Sequence, residues 1–250
     1  MQHRICKYIL IANILCLSFS PALYSQTKQN AGFYDPEKRF SVSLYGTYIS
    51  SSELMNNPNS TDPIERDASV DLPGGYGYGA ELDYEPPLFD LGLTFYISTE
   101  YFKSSSNELI LRFDNGEDVA NVKAYESYSV IPLEAGIKWS LPVSSDNFKI
   151  YIGGIYFGDR TRTMLNMVST NINKKPGFNV NVLSGLEYYV ARNLSANLEF
   201  KFREAVFDVE SRYNTNIIRI NGIQFTFENP FYTRFIVDGV RLSAGLKYQF

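Results

Sequence analysis

Apolar and polar residues alternate with a period of two along most of this chain, the spacing of β-strands that have one apolar face. Phe40, Val42, Leu44 and Tyr48 alternate with Ser41, Ser43, Tyr45 and Thr47. Tyr76, Tyr78, Ala80, Leu82 and Tyr84 alternate with Gly77, Gly79, Glu81 and Asp83. A third stretch sets Leu91, Leu93, Phe95, Ile97 and Tyr101 against Gly92, Thr94, Tyr96, Ser98 and Glu100. A fourth sets Ile131, Leu133, Ala135, Ile137, Trp139 and Leu141 against Glu134, Gly136, Lys138 and Ser140. The second half repeats the scheme. Phe148, Ile150, Ile152 and Tyr156 oppose Lys149, Tyr151 and Gly153, and Val180, Val182, Leu186, Tyr188 and Val190 oppose Asn179, Asn181, Gly185 and Glu187. Ala196, Leu198, Phe200 and Phe202 oppose Asn197, Glu199, Lys201 and Arg203. Last, Val240, Leu242, Ala244, Leu246, Tyr248 and Phe250 oppose Arg241, Ser243, Gly245, Lys247 and Gln249. Helical periodicity is almost absent, so the pattern predicts eight strands and an all-β fold.

The connections alternate in length. About two dozen residues separate the first two strands, and Glu85-Pro86-Pro87 joins the second to the third. A long excursion through Asp114-Asn115-Gly116 is followed by a short Pro142 to Asn147 turn. A long loop holding Lys174-Lys175-Pro176-Gly177 is followed by the tight Ala191-Arg192-Asn193 turn. The last loop, about Glu210 to Val237, is the longest. Long and short connections segregating to opposite ends predict an eight-stranded antiparallel up-and-down barrel. Asn221-Gly222 between two apolar runs, and Leu109 to Phe113 before Asp114-Asn115-Gly116, are hairpin signals that would carry the wall beyond the barrel's main body.

A soluble barrel would turn its apolar face inward, whereas a transmembrane barrel turns it to lipid. The polar faces carry the acids Glu81, Asp83, Glu100, Glu134, Glu187 and Glu199 and the bases Lys138, Lys149, Lys201, Arg203, Arg241 and Lys247. Such balance suits a neutral, cross-paired lumen. Aromatic placement favours the inverted arrangement. Phe40, Tyr84, Trp139, Phe148, Tyr188 and Tyr248 fall at the short-turn end of the apolar face, and Tyr48, Tyr76, Tyr101, Tyr125, Tyr156 and Phe178 at the long-loop end. Aliphatics lie mainly between them, as two aromatic girdles around a bilayer's hydrocarbon band require. About eleven residues per strand at a tilt of roughly 40° cover roughly 28 Å, enough for that band. Two local departures stand out. Pro132 lacks a ladder donor inside the fourth strand, which predicts a bulge. Glu204 falls on the lipid-facing parity, which places it above the membrane rim or past a bulge.

The first 25 residues have the plan of a secretory signal peptide: Arg4 and Lys7, an apolar run from Tyr8 to Phe19, then small residues with Ala22 or Ser25 before the cut. The expected organisation is a signal peptide over 1–25, a short periplasmic segment over 26–38 and the barrel over 39–250. Removing the signal takes His3, Cys6 and Cys16 with it and leaves 21 basic against 27 acidic residues, a net charge of −6. Disulfides, Cys- or His-ligated zinc and nucleophilic dyads built on His or Cys are thereby excluded from the mature chain, and no basic face points to nucleic acid. No catalytic, metal or cofactor-binding residue is expected. Carboxylate neighbours such as Glu81 and Asp83 are read as partners of lumen bases, and Gly74-Gly75 and Gly153-Gly154 as sites of strand bending or close packing.

The terminal run Val240-Arg-Leu-Ser-Ala-Gly-Leu-Lys-Tyr-Gln-Phe250 resembles the C-terminal signal of bacterial outer-membrane proteins, with Phe250, Tyr248, Leu246 and Leu242 on one face and Gly245 further in. With the eight-strand pattern, the chain resembles the small eight-stranded outer-membrane β-barrel proteins of the OmpA/OmpX kind. The resemblance implies export to a Gram-negative outer membrane and recognition of the last strand by the barrel assembly machinery. It also implies outer-membrane lipid as the solvent of the outer face. The functional expectation is a non-enzymatic structural or surface-interaction barrel whose long loops meet an extracellular partner. A porin-like alternative, a narrow channel or carrier for small solutes or a hydrophobic ligand, stays open at this point.

Overall fold

A computed structural model of the chain describes residues 38–61, 63, 66, 69–86, 93–140, 146–150, 154–165 and 167–250. The signal-like segment and the sequence positions 91, 141 and 151–153 lie outside the described residues. Among the described residues there are fourteen strands: β1 (Phe40–Met55), β2 (Ser69–Tyr84), β3 (Leu93–Asp114), β4 (Val119–Ser140), β5 (Asp146–Ile150), β6 (Gly154–Met164), β7 (Met167–Val168), β8 (Thr170–Lys174), β9 (Gly177–Asn179), β10 (Val182–Ala191), β11 (Leu194–Arg212), β12 (Ile217–Ile220), β13 (Ile223–Thr226) and β14 (Phe231–Gln249).

They make eight staves. Six neighbours pair as β14–β1–β2–β3–β4 and β11–β14, and the circuit closes because β4 pairs with β5 and β6, β5 with β10, β6 with β9, and β10 with β11. The fifth stave is thus β5 with β6, and the sixth is β10 with β9 and β8. Every pairing is antiparallel. A closed circuit leaves no sheet edge to satisfy, a condition for backbone in hydrocarbon.

The staves are longer than the alternation predicts. β3 and β4 form one hairpin out to Asp114 and Val119, turned at Gly116, whose φ of +91° needs glycine. Asp114 Oδ1 accepts from Gly116 N at 2.8 Å, and Asn115 Oδ1 accepts from Asp118 N at 2.7 Å. The expected two-dozen-residue loop after the first strand shortens, because β1 runs to Met55 and β2 starts at Ser69. Most of the longest expected loop is strand: β11 continues to Arg212, β14 begins at Phe231, and between them β12 and β13 form a separate hairpin on Asn221-Gly222, both with positive φ. Cross-strand pairing above the membrane reaches further than period-two patterning because the outer wall there meets water and carries mixed residues.

Pro132 makes no bulge. The β3–β4 register is the same at Leu133↔Thr99 and at Val130↔Phe102, and the bulge of this hairpin comes later, between Ser106 and Leu109. The proline sits on an inward position and its carbonyl accepts from Thr99 Oγ1 at 3.1 Å. Glu204 stands in an unbroken part of β11, opposite Asp238 of β14. Two outward acids at one level mark the top of the apolar band. From Val240 to Phe250 the outward face of β14 is apolar, about 25 Å along the barrel axis at a tilt of roughly 40°.

Candidate functional site: the filled lumen

The faces are inverted relative to a soluble protein. Leu44 is 64% exposed, and Phe40, Leu82, Phe95, Ile137, Phe200 and Leu246 are likewise exposed, while Ser41, Ser43 and Thr47 are buried. Tyr84, Trp139 and Tyr188 project outward at the short-turn end. At the other end Tyr48 and Tyr76 lie 5.0 Å apart and Tyr78 and Tyr101 5.8 Å apart, ring centre to ring centre. Tyr125 stands higher than that girdle, beyond Ser127 and Ser129 on the same outward face of β4.

The lower lumen holds the charges. Glu81, Asp83, Glu100, Glu134, Lys138, Glu199, Lys201, Arg203, Arg241 and Lys247 are buried, Glu134 at 2% exposure and Arg241 at 1%. Glu187 is half-buried. Lys149 of β5 pairs in register with Lys138 and Leu183, and its side chain lies outside what the structure describes. Nearest the short turns, Lys247 meets Glu187 at 3.0 Å and Asp83 at 3.1 Å, and Ser195 donates to Glu187 at 2.6 Å. Lys138 joins Glu81 and, at 2.7 Å, Asp83. One level up, Lys201 pairs with Glu134, which also accepts from Asn181 at 3.3 Å. Above that, Glu100 joins Arg203 at 2.6 Å and Arg241 at 2.8 Å. Burial of this many ions is tolerable only because each meets an opposite charge.

Adjacency on the sheet is a poor guide to these partners. β11 and β14 are neighbours, so adjacency alone would make Glu199 the acid for Arg241 and Lys247. Arg241 instead meets Glu100 across the lumen and lies 3.9 Å from Glu199, and Lys247 goes to Asp83 and Glu187. Long side chains in a narrow bore reach the opposite wall as easily as the next strand. Glycines make room for the rings among them. A Cβ on Gly79 would lie 2.5 Å from the ring of its cross-strand partner Tyr45, and one on Gly136 would lie 2.6 Å from Tyr96 Oη, again its partner. Arg241 lies over Tyr45 at 4.8 Å and Lys138 over Tyr96 at 5.0 Å.

No family model matches the sequence, and no curated protein matches it. The backbone does match solved structures. The outer membrane protein OprG from Pseudomonas aeruginosa aligns with a TM-score of 0.50 over 85% of this chain and 96% of that chain, at 11% identity. The chain has the fold of a small outer-membrane β-barrel. Ail, the attachment invasion locus protein of Yersinia pestis, in complex with the heparin analogue sucrose octasulfate, aligns at 10% identity and a TM-score of 0.41 over 85% of this chain and 99% of that one. The outer membrane protease OmpT from Escherichia coli aligns at 9% identity and 0.43 over 86% and 97%.

The upper half of this barrel is filled differently, and the alternation did not single out its residues. Phe102, Tyr128, Phe207 and Phe235 are buried together with Leu54, Leu72, Val130, Ala205 and Val237. Their signal was parity alone: Phe102 continues the inward run Ser98-Glu100, and Phe207 the run Lys201-Arg203. Above them Glu126 holds both Arg160 and Arg162, the latter at 2.7 Å, and the two guanidinium groups lie over Phe231 at 4.6 and 5.1 Å. Arg162 also donates to Asn56 at 2.7 Å. At the top, Ile218 and Phe225 of the β12–β13 hairpin are buried against Phe113, Tyr213 and Phe231 and cap the mouth. Among the described residues there is no histidine or cysteine, and no group of three acids that could hold a metal ion.

Proposed function

We propose that this protein is an integral outer-membrane barrel, exported with a cleaved signal peptide, that serves as a closed non-enzymatic platform. Its outer storey of extended strands and the β12–β13 hairpin meets an extracellular partner. The observation that carries the reading is the filled bore: ion pairs below, aromatic packing above and a hairpin over the mouth. The space bordered by Glu81, Gly185, Glu187, Asn197, Glu199 and Lys247 measures about 10 Å³, room for one water. Eight staves leave an interior that side chains can fill, and here they do. The lumen carboxylates are engaged with bases, which leaves none poised as a free acid or base for a substrate.

The test combines solubility with conductance. The mature chain is expected to refold only with detergent or lipid, because the outward apolar band is too large a patch for water. Incorporated into planar bilayers, the refolded barrel is expected to pass no current above background. Steady single-channel openings of the unaltered protein would overturn the closed platform in favour of the channel reading, and a soluble folded monomer without amphiphile would overturn the membrane assignment itself.

A further inference from the structure

The lumen has two storeys of opposite character, and they differ in how they resist an ion. The lower storey is a chain of charged groups from Lys247 up to Arg203, with oxygen and nitrogen atoms at each level. Such a lining can hydrate and can exchange partners; a permeating ion would find ligands there. The storey above has no charged group: its polar side chains are neutral and already bonded, Ser52 Oγ to Tyr128 Oη and Ser104 Oγ to the Pro73 carbonyl, and the rest is apolar. Four rings cross the bore in sequence: Phe102 of β3 to Tyr128 of β4 at 6.0 Å, Tyr128 to Phe235 of β14 at 5.0 Å, and Phe235 stacked on Phe207 of β11 at 5.2 Å. On the far side the Phe207 ring packs against the wall itself. The Phe207 ring lies where a side chain on Gly158 of β6 would be, and Gly177 of β9 brings its backbone against Val206. Leu54 of β1 and Leu72 of β2 complete the layer, both buried. These residues make one disc without a charged side chain, whose hydroxyl pair, Tyr128 with Ser52, is satisfied within the layer.

Both faces of the disc are marked by arginine. Arg203 lies under the Phe102 ring at 5.0 Å. On the upper side stands the Glu126–Arg160–Arg162 cluster. On β4 the inward positions run Glu134, Pro132, Val130, Tyr128, Glu126, so the two carboxylates stand about 20 Å apart along the axis at a tilt of roughly 40°. We infer that the barrier closing this barrel is the aromatic septum Phe102–Tyr128–Phe235–Phe207, and that the ion-pair network beneath it stabilises the fold without being the seal. This rests on the closed-bore reading and says which atoms do the closing. Hydrophobic constrictions exclude ions by dewetting, which takes no charged gate.

The experiment compares two sets of variants in planar bilayers, each first checked for folding by its heat-dependent gel mobility. Phe207→Ser with Phe235→Ser wets the septum; Glu134→Gln with Lys201→Met removes a lumen ion pair and leaves the rings. The septum variant is expected to raise the current about tenfold or more over the parent's background, and the ion-pair variant to match the parent. If the double serine variant does not refold, Phe235→Ala carries the same test with one ring removed and a smaller expected rise. A silent parent with a silent folded septum variant, or with a conducting ion-pair variant, overturns the septum alone. A conducting parent overturns the closed-bore reading on which it rests.

Discussion

Glu100→Gln should be among the costliest single substitutions in the lumen. The Glu100 carboxylate meets Arg203 Nη1 at 2.6 Å and Arg241 Nε at 2.8 Å, and all three side chains are buried. The amide keeps the shape and removes the charge that both guanidinium groups face. Taking one partner from a buried pair costs about 3–5 kcal/mol, because the other charge stays buried. Here two cations lose a partner at once, which argues for the upper part of that range. The approach of Glu199 to Arg241, at 3.9 Å, is longer than either ion pair of Glu100, so Glu199→Gln should cost less, on the order of 1 kcal/mol. Urea unfolding of the refolded protein in lipid, followed through Trp139, the one tryptophan of the chain, measures both. With a slope of about 2 kcal/mol per molar urea, Glu100→Gln lowers the midpoint by about 2 M and Glu199→Gln by about 0.5 M. Adding Arg203→Met to Glu100→Gln should recover part of the loss, because it deletes a buried cation whose 2.6 Å ion pair has been removed. Equal midpoints for the two single variants, or a Glu100→Gln midpoint at the parent's value, would refute the assignment of Glu100 as the hub.

Two further outcomes follow from the ends of the barrel. Phe250→Asp should lower the amount of heat-modifiable barrel in the outer membrane while export continues, measured by fractionation; normal levels would remove the assembly role proposed for the last strand. Burial pushes the Tyr213 phenol up to about 12, against the opposing pull of Arg162 and Arg160. The phenol of the unfolded chain ionises near 10, so this contribution to stability is fully present below about pH 10 and is lost as pH rises toward 12. Tyr213→Phe should therefore lose less thermal stability than the parent between pH 9 and 11, and at neutral pH it should match the parent, since the buried hydroxyl has no hydrogen-bond partner among the described residues. A steeper alkaline loss in Tyr213→Phe than in the parent would contradict that account.

What the sequence by itself determined was the content of each face in the membrane. A strand's side chains alternate by local geometry, so Phe40, Val42 and Leu44 share one side and Ser41, Ser43 and Tyr45 the other whatever the rest of the chain does. The aromatic residues at both ends of the apolar side then mark it as the lipid face, which leaves the charged side to the lumen. Where those charges go was settled only by closure of the barrel, because Lys201 and Glu134, or Arg241 and Glu100, stand on different staves and meet across a bore whose width the strand count fixes. The upper storey escaped the pattern for a related reason. Above Glu204 and Asp238 the outer wall faces water, so inward and outward residues differ less in polarity, and bulges between Ile49 and Glu53 and between Ser106 and Leu109 shift the parity of β1 and β3. Phe102, Tyr128, Phe207 and Phe235 are 133 residues apart at their extremes and become one layer only when β3, β4, β11 and β14 are wrapped into a single wall.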